Sequence, residues 1–229
     1  MGTYLIAGAS KGIGHKLASK LIEDGNSVIN YSRSPSPLNG VTSVEVDFAS
    51  ESLTLSPPET LDGLAYCPGT INLKPFHRLT ETDFLADYRI NFLSAVKLIQ
   101  ACLPALQKSN SASIVLFSTV AASTGMGFHS SIASAKSALA GLGLSLAAEL
   151  APKIRVNIVS PSLTETPLAE KLLANDNQKA AAGKRHPLQR HGQPEDIANA
   201  AEFLLTQKSS WMTGQIINVD GGLGNLRLL

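Results

Sequence analysis

The residues best placed by type and spacing to do chemistry lie near the start of the chain. Gly8-Ala9-Ser10-Lys11-Gly12-Ile13-Gly14 follows the apolar run Tyr4–Ala7 and leads into a helical pattern from Ile13 to Glu23. Gly8 permits a tight turn, Gly12 lets backbone approach a pyrophosphate, and Gly14 lets the helix pack closely on the strand. The N–H groups and dipole at the helix start then favour phosphate charge beside Ser10, Lys11 and Ile13. Alone, such a loop is equally a tight turn. At the first strand–helix junction of an alternating chain it reads as a dinucleotide-binding loop. The second strand ends Asn30-Tyr31-Ser32-Arg33, where a site specific for NAD places an acid. The planar fork of arginine suits phosphate, so Arg33 with Lys11 points to the 2′-phosphate of NADP(H). Two solvated loop cations would read the same way. Asp47-Phe48, after the third strand, is placed to border the adenine.

The elements that must position these residues alternate. Strands are expected at Tyr4–Ala7, Ser27–Tyr31, Ser43–Val46, Gly63–Tyr66, Ser113–Phe117, Ile154–Val159 and Gln215–Val219. Helices are expected near Ile13–Glu23, Thr82–Gln107, Ser130–Leu150 and Pro194–Leu205. This order implies βαβ units and a parallel sheet with helices on both faces, a three-layer α/β/α doubly wound Rossmann domain over residues 1–229. Pro35, Pro37, Pro57 and Pro58 crowd the third strand, so the crossovers on either side are expected to be loops or single turns. One face of the sheet should then be thinly covered.

Composition narrows the function classes. Hydrophobic residues make up 44% of the 229 and charged residues only 16%, which does not suit a disordered chain. Nineteen basic against eighteen acidic residues leave a net charge of +1. Without a basic tract, neither nucleic acid nor an anionic membrane surface is an expected partner. The most apolar stretch, Ser130 to Ala151, carries Lys136 and Glu149 and reads as a buried helix. Cys67 and Cys102 fit neither a zinc site nor a redox pair, so no metal is expected. Two lone thiols and the lack of a leader pattern suit the cytoplasm.

The chain resembles the short-chain dehydrogenase/reductase family over nearly its whole length. The phosphate loop is similar to that family's T-G-x-x-x-G-x-G, with Ala7 in the threonine's place. Asn91 matches its asparagine. Val156-Asn157, Pro161-Ser162 and Thr166 resemble the stretch lying against nicotinamide, where Gly69, Pro161, Thr164 and Thr166 are implied cofactor contacts. Gln193-Pro194-Glu195-Asp196-Ile197 and Val219-Asp220-Gly221-Gly222 are similar to its carboxyl end.

In that family a serine, a tyrosine thirteen residues later and a lysine four beyond it carry the chemistry. Positions i and i+4 share a helical face, so the ammonium lowers the tyrosine pKa while holding the nicotinamide ribose. The tyrosine is the general acid or base, and the serine steadies the carbonyl oxygen. Here Lys136 matches the lysine, Ile132 occupies the tyrosine position and Thr119 the serine position, with Ser118 beside it. Isoleucine has no titratable group. Ser162 replaces the glycine after Pro161, and Tyr66-Cys67-Pro68-Gly69 replaces N-N-A-G. His129, three residues before Ile132, is a candidate proton donor, along with water or the substrate; equally it is a loop histidine.

The resemblance implies an NADP(H)-dependent oxidoreductase acting on a small carbonyl or alcohol. Lys136 would hold the ribose, Thr119 orient the substrate oxygen and Asn91 support a water relay. The alternative is a silent nucleotide-binding sensor or partner subunit. A substrate lid is implied over about 163–190, with His186, Arg190 and His191 expected to be solvated. A homodimer or homotetramer on the long helices is also implied, though Leu139, Leu142, Leu146 and Leu150 serve equally as core.

Overall fold

The computed structural model describes residues 1–227. Seven strands, β1 (Thr3–Ala7), β2 (Ser27–Ser32), β3 (Val41–Glu45), β4 (Gly63–Tyr66), β5 (Ala112–Phe117), β6 (Ile154–Pro161) and β7 (Ile216–Val219), form one sheet. Every pairing is parallel, in the order β3-β2-β1-β4-β5-β6-β7. Strand order reverses beside β1, whose last residue Ala7 is level with Tyr31 on β2 and Tyr66 on β4. Ligands of doubly wound sheets bind at the carboxyl ends of strands at such a reversal.

The period of two along each strand divides the core. On β1, Tyr4 and Ile6 point to the layer formed by α1 (Gly12–Glu23) and α6 (Pro194–Leu205), where Leu17, Leu21 and Ile197 are buried. Leu5 and Ala7 point to the layer of α3 (Ser94–Gln107) and α4 (Ser130–Leu150), with Leu98, Leu106 and Leu139. Leu142, Leu146 and Leu150 pack against this second core, which settles their role within the chain. Burial on both faces explains why the strands read as almost unbroken apolar runs. Gly143 lets α4 approach β6, since a β-carbon there would stand 2.8 Å from Ile158 Cδ1.

Three features differ from the sequence expectation. The helical run from Thr82 to Gln107 is interrupted: α2 (Glu81–Tyr88) passes through a π turn at Arg89–Leu93 into α3. Asn91 supplies the cause, because its side-chain amide donates to the Asp87 carbonyl at 2.8 Å and competes for an acceptor of the helical ladder. The crossovers flanking β3 do lack helices, but the thin cover falls on the edge strand rather than on one face. Thr42 is exposed on one side of β3, and Ser43 and Glu45 on the other. Finally, the alanine-rich segment after Leu163 contains a helix, α5 (Asp176–Lys184), capped by Asn175. Its weak apolar periodicity hid it from the sequence.

The α2–α3 run and α4 are long and apolar enough by length and composition to cross a membrane. Both instead lie against the sheet, and α4 buries Lys136.

Candidate active site

At the carboxyl ends of β1, β2 and β4 lies a cavity of about 610 Å³. The phosphate loop forms its floor. Gly8 and Gly12 take positive φ of 84° and 61°, a conformation that favours glycine. A β-carbon at Gly14 would lie 2.3 Å from the Gly8 carbonyl oxygen, so only glycine lets α1 start against β1. α2 and α6 carry capping boxes and α5 an asparagine cap, whereas the starts of α4 at His129 and of α1 at Lys11 have no side-chain cap, and of these two only the α1 start lines the cavity. Its leading N–H groups therefore need an acceptor from outside the helix. Lys11 and Arg33 line the same cavity, are exposed, and enter no ion pair among the described residues. These features fit a dinucleotide with its pyrophosphate on α1.

Of the expected cofactor contacts, Gly8, Ser10, Lys11, Gly12, Ile13, Gly14, Arg33, Asp47, Phe48, Gly69 and Thr166 line this cavity. The Phe48 ring itself turns inward, edge-on to Tyr66 with centroids 5.4 Å apart. Thr166 lies over Gly12, at 3.5 Å from the point where a β-carbon would be. Pro161, Thr164 and Lys136 are not among the lining residues; Thr164 is buried and bridged to Gly192.

Gly69 joins this cavity to the residues expected to do chemistry. A β-carbon on Gly69 would stand 3.1 Å from Asn91 Oδ1 and 3.5 Å from Lys136 Nζ. Lys136 is buried and donates to the Phe117 carbonyl at 2.7 Å. Burial pushes its pKa down to about 8. Ile132 lies one turn earlier on α4 and is also buried. Thr119 accepts from the Ala121 N–H at 3.3 Å and caps a short 3-10 turn. The Ser118 hydroxyl is committed to the Lys136 carbonyl at 3.1 Å.

The other candidates are separated by the same geometry. His129 turns back on its own loop, its Nδ1 2.7 Å from the Gly127 carbonyl oxygen. Tyr66 offers no free phenol: it is fully buried and donates to the Ile90 carbonyl at 2.5 Å, and burial raises its pKa. The Cys67 thiol is pushed up to about 12 by burial, against a lowering contribution from Lys136, which makes it a poor nucleophile. His186 corrects the expectation of a solvated side chain. It is 2% exposed, with Nδ1 2.8 Å from the Ala182 carbonyl oxygen and Nε2 2.8 Å from Ser162 Oγ. A carbonyl only accepts, so neutral His186 carries its proton on Nδ1 and the serine donates to Nε2. His191 is likewise drawn in, bonding Glu165 at 3.0 Å, while Arg190 pairs with Asp196 at 2.6 Å. Glu165 also bonds Lys179 and Gln193, and these bonds hold its pKa down at about 2.

Sequence reasoning missed Asn30. It is fully buried and accepts from the Ala9 N–H at 2.9 Å, while its amide donates to Ser32, Ser34 and Ser43. The signal was available: an amide within an apolar strand needs partners, and the phosphate loop is the nearest set. Thr70, Asp87 and Ser131 were also missed; they meet only in the fold.

A family model described as enoyl-(acyl carrier protein) reductase matches residues 51–224. A 3-oxoacyl-acyl-carrier-protein reductase of Chlamydia pneumoniae is 31% identical over 238 residues, covering 96% of this chain and 95% of that protein. Among solved structures, the ligand-free aldohexose dehydrogenase of Thermoplasma acidophilum has a TM-score of 0.90 at 26% identity, covering 100% of this chain and 96% of the other. A short-chain type dehydrogenase/reductase from Mycobacterium ulcerans has a TM-score of 0.86 at 26% identity, with 99% and 90% covered.

Proposed function

The chain belongs to the short-chain dehydrogenase/reductase family, and on that premise we propose that it is an NADP(H)-dependent oxidoreductase of small carbonyls or alcohols that works without the family's tyrosine. The observation that carries this reading is a cavity that runs from the start of α1 and Arg33 to Gly69, with Lys136 Nζ and Asn91 Oδ1 directly behind Gly69. A dinucleotide bound there would supply or accept the hydride.

The protein's own residues bind and orient. The α1 N–H groups take the pyrophosphate. Arg33 and Lys11 take the 2′-phosphate through charge-assisted hydrogen bonds. Lys136 keeps two donor hydrogens beyond the one given to Phe117, enough for a pair of ribose hydroxyls. Thr119 offers a hydroxyl to the substrate oxygen. With Ile132 in place of a phenol, the loss of one general acid costs about 100- to 10,000-fold in rate, so slow hydride transfer is expected rather than none. Asn91 would order a water of the proton relay near Gly69. We place the enzyme in the cytoplasm as a homodimer or homotetramer, on the near-neutral charge and on apolar side chains left exposed on the long helices, such as Leu93 and Leu144.

The test is NADPH oxidation followed optically with the protein in excess, against ketones, aldehydes, sugars and 3-oxoacyl thioesters. Slow, saturable oxidation with at least one class supports the reading. Tight NADPH binding with no turnover on any class favours the silent sensor or partner subunit.

A further inference from the structure

A carboxylate lies buried behind the cavity wall. Asp87, in the last turn of α2, is 2% exposed, and no ion pair among the described residues includes it. Hydroxyls meet both of its oxygens: Thr70 Oγ1 at 2.5 Å and Ser131 Oγ at 2.6 Å. Thr70 lines the nucleotide cavity next to Gly69. Ser131 directly precedes Ile132 in the first turn of α4. The direction of this network is fixed by chemistry. The Asn91 amide nitrogen only donates, and it donates to Thr70 Oγ1 at 2.8 Å and to the Asp87 carbonyl at 2.8 Å. The Thr70 hydrogen must therefore go to Asp87. The chain runs Asn91 to Thr70 to Asp87, ending on an acceptor. Charged and titratable groups on the elements around it are Glu81, Asp83, paired with Lys74, Tyr88, Arg89, paired with Glu51, His129 and Lys136; none bonds Asp87.

We propose that Thr70 and Asp87 form the proton path of this active site in place of the absent phenol, with Thr70 as the catalytic hydroxyl at the cavity wall and Asp87 as the positioning carboxylate behind it. This rests on the hydride-transfer reading above. In alcohol oxidation the substrate O–H bond breaks and its proton passes to Thr70 Oγ1, while the Thr70 proton moves to Asp87. The hydride leaves carbon for the oxidised nicotinamide, and the carbonyl forms. Carbonyl reduction is the reverse, with Asp87 starting protonated. Buried carboxylates without cations are costly in a fold and concentrate at sites that use them.

Three variants test the proposal: Asp87→Asn, Thr70→Val and Thr70→Ser, each measured for NADPH affinity and for single-turnover hydride transfer across pH. Infrared difference spectra of the unliganded protein provide a readout that needs no turnover. D87N and T70V should slow hydride transfer about 100-fold or more, with NADPH affinity unchanged in D87N, whose carboxylate lies behind the cavity wall, and T70S should recover the rate lost in T70V. The carboxylate stretch of Asp87 in the wild-type protein should vanish in D87N and move in T70V. Thr70→Val is nearly isosteric, so it serves if D87N fails to fold. An active wild-type protein whose D87N and T70V variants match its rate would overturn the proton path and leave the oxidoreductase reading standing. A wild-type protein that binds NADPH and turns over no carbonyl would overturn both.

Discussion

Lys136 Nζ donates to the Phe117 carbonyl at 2.7 Å, a bond between α4 and the end of β5 that does not involve residue 132. The lysine is held in place by the backbone of the sheet, independently of the side chain at 132. Ile132 is buried on the same side of α4, consistent with i and i+4 positions.

Placing a phenol at position 132 should therefore raise activity. Ile132→Tyr is expected to raise carbonyl reduction by about 100-fold or more, measured as kcat with NADPH and the best carbonyl of the panel. An unchanged rate would mean that Thr119, held by its cap on Ala121, no longer orients a substrate oxygen.

The burial of Lys136 has a pH signature. Its folded pKa falls to about 8 from 10.5 because burial disfavours the ammonium. The folded state then binds fewer protons than the unfolded state between those two values, and stability rises with pH across that window. Below pH 8 the full penalty is present, on the order of 3 kcal/mol. Lys136→Met should be more stable than the wild-type protein at pH 7, with the difference shrinking as pH rises toward 10. Denaturant titrations at both pH values check this, and an equal difference at each would contradict it.

Thiol chemistry offers an independent check on the same region. Cys67 and Cys102 both have pKa values pushed up to about 12 by burial. At pH 8 neither should react with a disulfide reagent in the folded protein, and both should react on unfolding. Fast labelling of the native protein that disappears in Cys67→Ser would show an open, activated thiol instead.

The sequence made the sheet legible because buried parallel strands are apolar throughout, and Gly63–Tyr66 and Ile154–Val159 could hardly be read otherwise. The phosphate loop was legible because its glycines answer a steric demand, seen directly at Gly14. The π turn at Asn91 was not, since it arises from a side chain competing with its own helix. Nor was the Thr70–Asp87–Ser131 cluster, whose members are separated by 17 and 44 residues along the chain. His186 misled for a similar reason: its partner Ser162 is 24 residues away, and a histidine in a polar segment gives no sign of burial.

The central proposal is that the chain keeps a seat for NADP(H) with isoleucine at position 132, and calorimetric titration of the wild-type protein and Arg33→Ala with NADPH and NADH tests it most directly. The wild-type protein should bind NADPH about ten- to a hundredfold more tightly than NADH, the worth of one or two charge-assisted hydrogen bonds. R33A should lose most of that preference while its NADH affinity is unchanged. Equal affinity for both cofactors, or an equal loss for both in R33A, would contradict the assignment of Arg33 to the 2′-phosphate, and failure to bind either would contradict the account as a whole.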